Sequence, residues 1–161
     1  MFERTILARV ATLNKLNPKN AALIKRLAST MPFYKYLGIT LTEFDWGSSE
    51  IQLKVTRKLI QSAGFAHGGV TAALVDSAVG LALCTMVDPR DSITTIELHV
   101  NFIAPAKLGL LKTRGLILHR GKRTGVGDAE VRDEDDLLIA KGSATYMIIK
   151  NGRKKRALDF S

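Results

Sequence analysis

The chain has 161 residues, 46% apolar and 24% charged, the balance of one soluble globular domain rather than a disordered polypeptide. Lys and Arg total 24 against 15 Asp and Glu, a formal charge of +9, so acidic partners are favoured: nucleic acid, anionic lipid or a phosphorylated cofactor. The single cysteine, Cys84, excludes an internal disulfide framework, and its place in an apolar run points to a buried, reduced thiol and a cytoplasmic location.

The first thirty residues read as helix. Ile6, Val10 and Leu13 recur at the spacing of one helical face. The Asn17-Pro18 pair breaks that helix and starts another, with Asn17 as cap, Pro18 at the first position and Leu23, Ile24 and Leu27 as the apolar stripe. Pro32 closes it near Met31. No secretory signal is expected, because Glu3, Arg4 and Arg9 interrupt the opening residues. These helices are read as an extension (1–33) on a main domain (34–150), followed by a basic tail (151–161) that carries Arg153, Lys154, Lys155 and Arg156. A weak membrane-surface reading of the first helix stands beside core packing.

From Gly38 the period becomes two. Ile39, Leu41 and either Glu43 or Phe44 lead into a turn at Asp45-Trp46-Gly47-Ser48, and Ile51, Leu53 and Val55 then alternate with polar residues, which describes a half-buried hairpin. Residues 61–66 form a loop before Gly68-Gly69. Residues 70–87 are almost long enough and apolar enough to span a bilayer, but Asp76 lies among them, so a helix buried in a soluble core is the better reading. Asp88-Pro89-Arg90-Asp91 stops it. Strands follow: Ile96, Leu98, Val100 and Phe102 on one face with Glu97, His99 and Asn101 on the other, then residues 110–119, 126–132 and 137–149, with Asp133-Glu134-Asp135-Asp136 as a turn. His99 and His119 are expected at the surface. Helices, two strands, one very apolar helix and about four more strands imply an α+β fold, a curved antiparallel sheet wrapped around that helix.

Two features of the central segment carry chemistry. The Gly68-Gly69 pair at a helix start leaves N–H groups uncovered, in the positive field of the helix dipole, where a carbonyl oxygen gaining negative charge can be held; the same glycines also permit a tight turn or close packing. Asp76 is the one charge between His67 and Val87, and a carboxylate on a buried helix is costly unless it is paired or used. His67 and Asp76 lie nine residues apart, about 13 Å along one helix. Water activated by Asp76 therefore cannot attack a carbonyl held at that same helix's start. If both take part, they come from different chains, and a dimer with shared sites follows.

The segment HGGVTAALVDSAVGLAL (67–83), with ELHVNFIAPAKLG (97–109), HRGKRTGVGDAEV (119–131) and LLIAKGSATYMI (137–148), resembles the hotdog-fold acyl-CoA thioesterases of the phenylacetate-degradation (PaaI-like) type over roughly residues 35–150. The resemblance implies a hotdog domain with a long central helix, dimers that often pair into tetramers, and hydrolysis of an acyl-CoA thioester. Asp76 takes the family's acidic position, as general base or nucleophile. Gly68 would supply the N–H that polarises the carbonyl, and His67 would orient the thioester or simply cap the loop. Gln61 falls where a Gln or Asn places thioester or water, and Thr95 where a Ser or Thr assists the water. Gly69, His119, Gly121, Lys122, Arg123 and Thr124 would contact coenzyme A, whose phosphates suit a basic, glycine-bearing hairpin; a solvated hairpin is the competing reading. The hairpin is not a Walker A loop, because Arg123 stands where Ser or Thr is required. No metal and no cofactor beyond the substrate's own coenzyme A are implied. An acyl-CoA binder without hydrolysis, a hotdog hydratase or dehydratase, and a nucleic-acid binder resting on charge alone are the rival functions. Neither nucleic acid nor stable membrane insertion is expected.

Overall fold

The computed structural model describes residues 16–150; the expected helix through Ile6, Val10 and Leu13 and the basic cluster at 153–156 lie outside them. Helix α1, Pro18–Thr30, begins as its sequence dictates, with the Asn17 side chain accepting from the Lys19 N–H and Pro18 at the first position. Ile24 is buried and Leu27 packs against the core. Pro32 ends this helix but also opens a second, α2, Pro32–Leu37, which the sequence reading missed. Proline serves both roles because its Cδ clashes with a helical preceding residue, while its own fixed φ suits the first residue of the next helix. Gly38, in the left-handed region at φ 79°, caps α2.

Strands β1, Ile39–Asp45, and β2, Ser48–Val55, form the expected hairpin. A bulge between Leu41 and Glu43 decides the ambiguous position there: Phe44 packs against the core and Glu43 is exposed. After a short 3-10 turn, Arg57–Leu59, the central helix α3 runs Gly68–Cys84. The strands β3, Ser92–Phe102, β4, Gly109–Arg120, β5, Thr124–Arg132, and β6, Leu138–Ile149, complete one antiparallel sheet of order β1-β2-β4-β5-β6-β3. This is the α+β hotdog arrangement expected from the sequence.

Helix α3 is apolar on nearly every side because the sheet curls around it, and 12 of its 17 residues are buried. None of the helices among the described residues is long and apolar enough to cross a membrane. Contact between helix and sheet is close enough to demand glycine: a Cβ on Gly115 of β4 would lie 2.5 Å from the Ala78 carbonyl carbon. The helix C-terminus is capped from outside its own segment. Asn20 of α1 is buried, and its Nδ2 donates to the main-chain oxygens of Cys84, Thr85 and Val87 at 2.8, 3.2 and 2.7 Å. These are carbonyls the helix cannot satisfy itself.

The two sheet edges differ in character. Edge strand β1 is short, bulged and carries Glu43 and Asp45, devices that discourage pairing. Edge strand β3 is 11 residues long and leaves Ile96, Leu98 and Phe102 at 52%, 39% and 61% exposure. The face that Ile96, Leu98 and Phe102 were expected to share is therefore not covered within the described residues, none of which forms a strand beyond that edge.

Candidate active site

Asp76 sits in the middle of α3, on the side the sheet leaves least covered. Gly69 is exposed there and Ala72, Ala73 and Asp76 are half-buried, whereas every residue from Ser77 to Cys84 is buried. The carboxylate is thus not fully buried, as the sequence implied, but lies at the inner end of an open strip one helix face wide. Two hydroxyls address the same oxygen. Thr95 Oγ1 of β3 donates to Oδ1 at 2.8 Å, and the Tyr146 hydroxyl of β6 lies 2.8 Å from Oδ1 and 2.5 Å from the Asp76 main-chain oxygen. Among the described residues nothing donates to Oδ2.

A bulge places Thr95. The β3–β6 register shifts between Thr95 and Glu97, so that Thr95 faces Tyr146 while Leu98 faces Ala144. Strict alternation from Leu98, Val100 and Phe102 back through Ile96 would have turned Thr95 to the outer face. The extra residue, Ile96, reverses the parity and aims Thr95 at the helix.

The phenols beneath the carboxylate stay protonated. Burial holds Tyr146 far above the ordinary phenol range, with the Asp76 charge as second cause. Burial pushes Tyr34 of α2 up to about 12, against a hydrogen bond with Ser77 that acts in the opposite direction. The buried thiol of Cys84 is likewise pushed up to about 12 by desolvation, the inert cysteine expected.

At the other end of the strip, His67 is the N-cap of α3. Its Nδ1 accepts from the Gly69 N–H at 2.9 Å, so a neutral ring carries its proton on Nε2. Of the two glycine N–H groups, that of Gly69 is therefore occupied, and the Gly68 N–H is the one with no acceptor among the described residues. Gly68 opens onto a cleft of about 500 Å³ lined by Gln61, Phe65, Thr71, Phe102, Ile103 and Ile139, among others. The Phe102 ring lies against it, 3.1 Å from where a Cβ would stand.

The structure therefore gathers the residues singled out in sequence into three groups. Gln61, His67, Gly68 and Gly69 surround the start of α3. Asp76 and Thr95 meet about 12 Å further along the helix. His119, Gly121, Lys122, Arg123 and Thr124 form the β4–β5 hairpin, closed by the Gly121 N–H on the Thr124 carbonyl at 2.8 Å, with His119, Lys122, Arg123 and Thr124 exposed. His99 is exposed as well. This hairpin packs at the opposite end of the sheet from Gly68: Ile148 donates to the Arg123 carbonyl, whereas Ile139 lines the cleft. Nine positions of β6 separate the two, about 30 Å. One chain does not bring the basic hairpin to its own Gly68.

Sequence reasoning missed Tyr146 and Gly80. Tyr146 reads as an ordinary inward strand aromatic, and Gly80 as one more small residue of an apolar helix. A Cβ on Gly80 would lie 2.8 Å from the Tyr146 hydroxyl oxygen, so the missing side chain is what lets that hydroxyl reach the helix.

Comparison with known proteins agrees with this architecture. The family model described as thioesterase superfamily matches residues 63–140. A solved structure of a thioesterase-superfamily protein is 30% identical, with 80% of this chain and 97% of that chain covered and a TM-score of 0.72. The 1,4-dihydroxy-2-naphthoyl-CoA hydrolase of Listeria monocytogenes is 28% identical over 120 residues, 74% of this chain and 98% of the relative. The Escherichia coli PaaI protein of the phenylacetic acid degradation operon shares the fold, with a TM-score of 0.78 at 23% identity over 84% of this chain and 97% of that chain. The chain belongs to the thioesterase superfamily, as an enzyme of the thioester hydrolase class built on the hotdog fold.

Proposed function

We propose that the protein hydrolyses acyl-CoA thioesters at a site shared between two copies of the chain. The observation that carries this reading is the Asp76 carboxylate, held at Oδ1 by Thr95 and Tyr146, with no donor to Oδ2 among the described residues, at the end of an open strip. The coenzyme A thioester named for the Listeria relative supports the substrate class.

In the dimer, two β3 edges meet, which covers Ile96, Leu98 and Phe102 and removes an exposed apolar edge. A two-fold axis there runs the helices antiparallel, so Gly68 of one chain approaches Asp76 of the other. The cleft beside Gly68 receives the thioester, with Gln61 and His67 positioning it. Asp76 of the partner takes a proton from water as its oxygen attacks the carbonyl carbon. The Gly68 N–H and the helix dipole hold the resulting oxyanion. Collapse breaks the C–S bond, the proton passes to the departing thiolate, and free acid and coenzyme A leave. The basic hairpin, Lys122 and Arg123 foremost, meets the coenzyme's phosphates. Gly69 contributes through its bond to His67 rather than by a free N–H.

A thiol-release assay across short, medium, long and aryl acyl-CoAs tests this, with wild type beside Asp76→Ala. Hydrolysis by wild type and its loss in the variant is expected. Equal rates would reject the role of Asp76. Tight acyl-CoA binding with no hydrolysis of any member would leave a non-catalytic binder instead.

A further inference from the structure

We infer that Tyr146, seated in the notch left by Gly80, is the positioning residue that fixes the Asp76 carboxylate so that Oδ2 is its working oxygen; this rests on the hydrolytic reading above. Three observations converge. The one proton of the Tyr146 hydroxyl is shared in a three-centre bond between Oδ1 and the main-chain oxygen of Asp76, 2.8 and 2.5 Å away, so it registers side chain and backbone together. Thr95 donates to the same Oδ1, so both donors engage one oxygen and leave the other to the open side. Gly80, one turn beyond Asp76, has no Cβ at the one place where a Cβ would stand 2.8 Å from the phenol oxygen.

The chemistry explains why a phenol suits this task. Tyr146 is buried, and a hydroxyl that stays protonated donates throughout the pH range in which a carboxylate base works. Its rigid ring, fixed by core packing, loses less freedom on holding the carboxylate than a flexible donor would. A carboxylate held at one oxygen has a defined direction for proton abstraction from the other. Within one chain, the titratable side chains among the described residues that couple to Asp76 are Tyr146 from β6 and Tyr34 from α2, both neutral, so the hydroxyl acts as a dipole and not as a countercharge.

Two variants and two readouts test this. Tyr146→Phe keeps the ring and removes the hydroxyl. Gly80→Ala keeps the hydroxyl and displaces it. In steady-state acyl-CoA hydrolysis each is expected to lower kcat about tenfold with KM nearly unchanged, the mark of an interaction used after binding. The second readout needs no substrate: a ¹³C NMR titration of the Asp76 carboxyl carbon, assigned with Asp76→Asn. Loss of a donor to the charged form should move its midpoint to higher pH in Tyr146→Phe than in wild type. An unmoved midpoint would overturn the proposal, as would an unchanged kcat in a Tyr146→Phe enzyme whose wild type is active. A wild type that hydrolyses no thioester while the midpoint still moves would remove the hydrolytic reading and retain the hold on the carboxylate.

Discussion

The Thr95 hydroxyl donates to Oδ1 of Asp76 across 2.8 Å, tying an edge strand to the central helix at the point where that helix is open. The bond exists because a bulge at Ile96 turns Thr95 inward. A hydrogen bond to a charged group is worth about 1.5–3 kcal/mol. Thr95→Val, isosteric but without the donor, should lower kcat about tenfold or more, and Thr95→Ser should restore most of it. Matched kinetics of the three proteins check this, and a fully active Thr95→Val enzyme would refute it.

Sharing of the site between chains is open to complementation. Gly68→Pro removes an N–H that has no acceptor among the described residues while keeping a residue suited to the first helical position, and His67 before it already has extended backbone, at φ −59° and ψ 136°. Loss of an oxyanion donor costs about 10²–10³ in kcat. Gly68→Pro and Asp76→Ala should each be inactive alone. Co-refolded in equal amounts, they should regain about a quarter of wild-type turnover, from heterodimers with one intact site. No recovery despite heterodimers seen by native mass spectrometry would place both groups in one chain.

The N-terminal extension should stabilise the domain through Asn20. Asn20→Ala removes the donor that Cys84, Thr85 and Val87 share. Leaving buried carbonyls unsatisfied costs about 1–3 kcal/mol. Urea denaturation should show that loss of unfolding free energy as a lower midpoint with an unchanged slope. An unaltered midpoint would mean that water replaces the amide without loss.

Alkaline stability follows from the buried thiol and phenol. Cys84 and Tyr34 are each raised to about 12 in the folded protein, above their values in an unfolded chain. The folded state then holds protons that the unfolded state releases, so stability is intact below about pH 8.5 and declines as pH climbs towards 12. The decline is at most about 1.4 kcal/mol per pH unit for each group. Denaturation midpoints from pH 7 to 11 should fall accordingly, less steeply in Cys84→Ala. In the native protein at pH 8, Cys84 should resist thiol reagents until urea is added.

Much of the architecture was legible because it rests on local physics. The Asn17-Pro18 cap, the Asp45-Trp46-Gly47-Ser48 turn, the alternation of Ile51, Leu53 and Val55, and an apolar helix interrupted once by Asp76 each follow from neighbours in the chain. The sequence also marked Asp76, Gly68, His67, Gln61 and Thr95 as chemically apt, and their residue types together with family resemblance sufficed for that. What it could not carry was parity and proximity. Whether Glu43 or Phe44 faces inward, and whether Thr95 sees Asp76, depends on bulges, and a bulge is set by which residues of a distant strand are available to pair. Tyr146 and Gly80 lie 66 positions apart, and neither has a local pattern that foretells the other.

By itself, then, the sequence determined the order of elements, the apolar helix at their centre and the one acid upon it, since periodicity and the cost of a buried charge act along the chain. Only the tertiary structure decided which hydroxyls hold that acid, which of its oxygens is left open, that His67 occupies Gly69 and not Gly68, and that the basic hairpin lies at the far end from the cleft. Those outcomes come from strand register and helix–sheet distance, quantities fixed when segments remote in sequence pack together.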